Sequence, residues 1–241
     1  MTDKTLDRLL TLKQAYLEKR LWPNHADLST FLFGFTNSPR PSPDELIDMW
    51  RSEGLSILST DLPPIVTPWM ALAHRLAADP EQRLEGHEGA GLYTGSVYVN
   101  GDVTIGDGEV LVIGGHLRVA GDIDVAETGG LVVAGTVECR ALRLGLHLTA
   151  LETVRARYVR LYGNDGCLMA PRLECELLHR DDYALSAELD ARCEVDGGEF
   201  PTKEKALGMA WALRPEFIDD EGELREEAVW EALEQRRPLL R

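Results

Sequence analysis

Residues 97–116 read VYVNGDVTIGDGEVLVIGGH, and residues 117–136 read LRVAGDIDVAETGGLVVAGT. The two superpose without a gap at an offset of 20, placing Val99 on Val119, Gly101 on Gly121, Asp102 on Asp122, Leu111 on Leu131 and Gly115 on Gly135. Apolar and polar residues alternate within the short runs, which is the period of a strand. A second register follows: VECRALRL at 137–144, VRARYVRL at 154–161 and LECELLHR at 173–180, offset by 17 and 19. Its third position is small each time: Cys139, Ala156, Cys175.

A period of 17–20 residues with two or three short strands predicts a mainly β chain folded as a parallel β-helix. Each period is then one coil, and equivalent residues stack in ladders. One coil buries too few aliphatics to offset the entropy of ordering its backbone, so several must stack. About five fit between residues 95 and 198. Val97, Leu117 and Val137 are expected inside. Tyr98, Arg118 and Glu138 are expected outside, as a cation–π neighbour and then an ion pair. Glu138, Arg155 and Glu174 form an alternating charge column in the same register.

Composition divides the rest of the chain. All five tryptophans and all five phenylalanines lie outside residues 91–198, as do eleven of twelve prolines, while 16 of 22 glycines lie inside. The expected organisation is a helical region over 1–90, the β-helix over 91–198 and a C-terminal helical cap over 199–241. Leu6, Leu9, Leu10, Leu12 and Leu17 give a helical stripe. Ser42-Pro43-Asp44-Glu45 is a helix start, with Ser42 capping and Glu45 answering three residues on. Further helices are expected after Pro68, after Thr202 and from about Glu223 to Arg237.

With 25 basic and 41 acidic residues the net charge is −16. That argues against a general nucleic-acid binder and fits a basic partner. No run approaches the roughly 18 apolar residues of a membrane helix. The charged N-terminus, MTDKTLDRLLTLKQ, has no signal-peptide core, so a cytoplasmic location is expected. The four cysteines lack a C-x-x-C spacing, and Cys139 and Cys175 fall on the inward ladder of Val99 and Val119, where a thiol packs as a small hydrophobe. The six histidines share no metal-ligand spacing. No catalytic residue, metal site or cofactor is expected.

Two basic columns stand out, Arg143–Arg160–His179 and Arg140–Arg157. Either could receive an anionic partner, or neighbouring carboxylates such as Glu138 and Glu176 could neutralise them. The broader acidic surface gives the candidate partner-binding residues: Asp102, Asp122 and Asp124 on the early coils, and Asp181, Asp182, Tyr183 and Glu188 on the last. It would dock a basic protein electrostatically, with the tyrosine as an anchor.

The phrases VYVNGDVTIGDG, HLRVAGDIDVAETGGLVVAGTVECRALRLG and VRARYVRLYG resemble the β-helix of bactofilin-like, polymer-forming cytoskeletal proteins. The C-terminal phrase WALRPEFIDDEGELREEAVWEALEQRRPLLR is similar to tails of a bacterial subgroup in which such a β-helix serves as the immunity protein of a toxin. The resemblance implies a non-enzymatic protein that binds and occludes a cognate, basic toxin domain. A self-assembling scaffold is the alternative, with self-association of the chain. A hexapeptide-repeat acyltransferase fits less well, because the six-residue spacing from Val99 to Ile123 does not persist.

Overall fold

The computed structural model describes residues 4–17, 43–53, 79–163, 166–181, 183–196, 212–219 and 223–241. Helices α1 (Lys4–Leu17) and α2 (Pro43–Glu53) precede fifteen strands. The first turn comprises β1 (Asp79–Leu84), β2 (His87–Glu88) and β3 (Gly91–Tyr93). The second has β4 (Gly95–Val99), β5 (Val103–Ile105) and β6 (Val110–Ile113). The third has β7 (Leu117–Val119), β8 (Asp122–Val125) and β9 (Gly130–Val133). The fourth has β10 (Val137–Glu138), β11 (Ala141–Leu144) and β12 (His147–Ala150). Thereafter the strands run round the corners as β13 (Thr153–Leu161), β14 (Cys167–Arg180) and β15 (Ala184–Asp196).

Every pairing among these strands is parallel, and each strand pairs with its equivalent one turn away: β4 with β7, β5 with β8, β6 with β9. The result is a three-faced β-solenoid of about six turns. Among the described residues its first strand is β1, from Asp79, which pairs with β4 ahead of the recognisable repeat.

The expected ladders are present. Val97, Leu117 and Val137 are in register and at most 2% exposed. Tyr98, Arg118 and Glu138 stack outside them. The cation over Tyr98 is Arg83, 5.4 Å from the ring centroid, rather than Arg118. Arg83 is the in-register neighbour on β1, and Arg118 turns the other way, to Glu138 at 3.9 Å.

Side chains of one turn also cap backbone N–H groups of the next. Ser96 Oγ accepts from His116 N, His116 Nδ1 from Thr136 N, and Asp102 Oδ1 from Asp122 N at 2.8 Å. Each link spans one 20-residue repeat, so the corners are satisfied by the neighbouring turn rather than by water.

The three faces differ in what covers them. On the third face, Val110, Val112 and Val132 are buried as fully as the inward Leu111, Ile113 and Leu131, so these strands are sequestered on both sides. On the second face, the outward column Ala141–Tyr158–Leu177–Cys193 is apolar. It packs against Leu213, Phe217, Val229, Ala232, Leu233 and Leu239. Those residues belong to a C-terminal arm built from a 3-10 turn (Pro215–Phe217) and helix α3 (Glu226–Glu234), held by antiparallel bridges Leu213↔Leu240 and Ile218↔Leu224. The C-terminal helix therefore lies along the flank of the solenoid. At the other end, Leu9 of α1 and Ile47 and Trp50 of α2 are buried, and Arg8 meets Asp79 of β1 at 2.5 Å. The expected cap at Ser42 and the helices after Pro68 and Thr202 lie outside the described residues.

Candidate functional site

The six acidic-surface candidates among the described residues do not converge on one site. Asp102 is exposed at a corner, where it caps Asp122 N. Asp122 is occupied by a bidentate pair with Arg140, at 2.7 and 2.6 Å. Asp124 is half-buried on the second face beside Arg143 at 3.8 Å; desolvation raises its pKa, Arg143 opposes that and Asp122 adds to it. Asp181 sits at the next corner, bonded to Arg160 at 2.7 Å. Glu188 is exposed on the first face, in register with Arg172. Asp182 lies outside the described residues.

Tyr183 is not a surface anchor. It is 5% exposed, belongs to the solenoid core and donates to Leu146 O at 2.5 Å. Burial raises its pKa. Its ring turns inward over Gly166, where a β-carbon would lie 1.8 Å from it.

The two basic columns are where the sequence places them, and carboxylates neutralise much of each. Arg143, Arg160 and His179 are successive in register, with Asp124, Asp181 and Glu226 as acidic partners. The arm covers Arg160 and His179 of this column, while Arg143 stays exposed. Tyr158 is fully buried; its OH lies 3.3 Å from His179 Nδ1, and its ring meets Trp230 edge-on at 5.1 Å. Burial, then Arg160, lowers the pKa of His179 against Glu226 and Asp181. A Tyr–His–Glu grouping could move a proton, but here it anchors α3 and offers no open cavity.

The other column opens on a groove, which is the candidate site. Its floor is the small-residue ladder at the end of the first face, with Val119, Cys139, Ala156 and Cys175. One wall is the column Tyr98–Arg118–Glu138–Arg155–Glu174–Asp190, whose charges alternate from Arg118 to Glu174. The other carries Arg140, Arg157, Glu176 and Arg192. Two hollows of about 630 and 410 Å³ meet at Glu138, Cys139 and Arg157. Small side chains at the third position make the hollows: the walls are long and the floor is short.

Ion pairs link many of the wall side chains. Arg155 reaches Glu174 at 2.7 Å, Arg172 reaches Asp190 at 2.5 Å, and Arg157 reaches Glu176 at 3.2 Å and Arg237 O at 2.8 Å. Charged side chains thus repeat at the turn spacing of about 4.8 Å. The floor thiols are inert: burial pushes Cys175 up to about 12, and Cys139 higher still. Among the described residues no group of three or more His, Cys, Asp or Glu could hold a metal ion, and no helix is long and apolar enough to cross a membrane. The columns were legible in the sequence; the groove was not, because it depends on which corner is left uncovered.

No protein-family model matches this chain, nor does any curated protein or solved structure.

Proposed function

We propose that the chain is a non-enzymatic protein-binding module of the immunity type, which holds a toxin domain and occludes its active site. The observation that carries the reading is the groove with its ion-paired walls. A straight array of charged side chains, fixed at one spacing over five turns, suits recognition of another polypeptide surface. Such positioning lowers the ordering cost of binding. The net charge of −16 adds long-range attraction for a basic partner and faster association. Cytoplasmic residence, where such a toxin would have to be met, belongs to the same reading.

The test is co-expression with any toxin gene found encoded beside it. Restored growth, together with a stable one-to-one complex, supports the proposal. Neither protection nor binding against any adjacent toxin removes it. Long filaments of the purified chain would favour the self-assembling scaffold instead.

A further inference from the structure

The larger hollow is the one part of the groove where arginine outnumbers carboxylate. Arg118, Arg140, Arg157 and Arg236 line it with Glu138 and Tyr98. Two of the guanidinium groups are held by hydrogen bonds. Arg140 spends Nε and Nη2 on Asp122, and Arg157 spends the same pair of nitrogens on Glu176 and Arg237 O. The Nη1 group of each has no acceptor among the described residues. Arg118 is 60% exposed at the side chain and holds Glu138 at 3.9 Å. Arg236 is exposed and has no carboxylate partner among the described residues.

Arg236 supplies an independent observation. It follows α3, and its φ of 56° is the one positive value outside glycine among the described residues. Arg236 N–H donates to Leu233 O at 3.0 Å, and Arg237 N–H donates to Ala232 O at 2.7 Å. That is the two-bond helix ending whose left-handed position glycine ordinarily fills. A charged side chain there is strained backbone at a hollow lined by four arginines. Strain of this kind accompanies function when the side chain is needed.

We infer that this hollow seats the carboxylates of an extended acidic peptide segment. The Nη1 groups of Arg140 and Arg157 donate from the wall, and Arg118 and Arg236 close over the segment from either side. Charge-assisted bonds of this fork geometry are the strong ones for carboxylates. A peptide is favoured over a free oxyanion because the hollow does not end: it continues into the second, where Glu174, Glu176 and Asp190 reverse the charge. The inference rests on reading the groove as a protein-docking surface.

The probe is fluorescent hexaglutamate, titrated by anisotropy at low salt into the full chain. A protein of net charge −16 should repel it, so binding reports the local site. Three variants read the mechanism. Arg236→Gly relieves the left-handed strain, raises the urea midpoint and weakens hexaglutamate at least fivefold. Arg118→Gln weakens it similarly. Arg225→Gln removes the same charge outside the groove and leaves affinity unchanged. Absence of hexaglutamate binding overturns the inference, as does equal loss with Arg225→Gln, which would assign the effect to bulk charge. Pyrophosphate binding without hexaglutamate binding overturns it too, in favour of a free phosphate. Failed toxin protection with intact hexaglutamate binding retires only the immunity reading; protection without hexaglutamate binding retires only this pocket.

Discussion

Gly121→Ala tests the turn-to-turn stacking at a close-packed corner. A β-carbon at Gly121 would lie 1.9 Å from Asp102 Oδ1 and 2.7 Å from Gly101 O. The carboxylate can rotate away, but then Asp122 N loses its 2.8 Å bond, worth about 0.5–1.5 kcal/mol at an exposed corner. The carbonyl belongs to the neighbouring turn and cannot move without shifting that turn, an overpacking cost of about 1–3 kcal/mol. The expected loss is therefore about 1.5–4.5 kcal/mol, read as a lower urea midpoint by circular dichroism. Hydrogen exchange should place the loosening in the second and third turns, since a solenoid need not unfold in one step. Asp102→Ala alone should show only the hydrogen-bond part of that loss, and adding it to Gly121→Ala should move the midpoint little further, because the bond is already gone. An unchanged midpoint in Gly121→Ala, or full recovery in the double variant, would refute the stacking geometry.

Tyr158→Ala empties the centre of the second-face cluster and should cost about 3–5 kcal/mol; trypsin should then cut the arm near Arg225 and Arg236 before the solenoid, and an unaltered digestion pattern would contradict the latch. Burial lowers the pKa of both His147 and His179, so the unfolded chain takes up their protons first as pH falls. Their contribution is intact above about pH 6.5 and lost as pH drops through the depressed folded values; melting temperature should fall there, and less steeply in His179→Gln. The thiols of Cys167 and Cys193 are pushed up to about 11 and Cys175 to about 12, so native protein at pH 8 should resist iodoacetamide until urea is added. Rapid labelling of the folded chain would show that a turn opens.

The register was readable because stacked turns repeat their corners. Gly101 over Gly121 and Asp102 over Asp122 mark one corner twice, and Glu138, Arg155 and Glu174 announce a ladder by alternating sign. What covers each face was present in the sequence but harder to separate. The continuous runs VLVI and LVVA differ from the alternating LRV, and that difference is two-sided burial of the third face. Ala141, Tyr158 and Leu177 likewise put apolar groups where an exposed face would carry polar ones. Tyr183 looked like an interface residue by its acidic neighbours. Its orientation was set by Gly166, seventeen positions earlier and one turn away, which no local reading weighs. Arg236 carried no sequence signal, because strain at a helix end is visible only in the dihedral angle.

The arm along the second face changes how the solenoid would respond to force. Turns in such a stack touch only their neighbours, so a pull on the last would peel them off one at a time. Here Phe217, Val229 and Leu233 share one cluster with side chains from four successive levels, Ala141, Tyr158, Leu177 and Cys193. The arm is a splint laid across the layers. A pull from the C-terminus must strip it before any layer can part, and those four levels should then yield together, as one mechanical unit rather than a ladder of small steps.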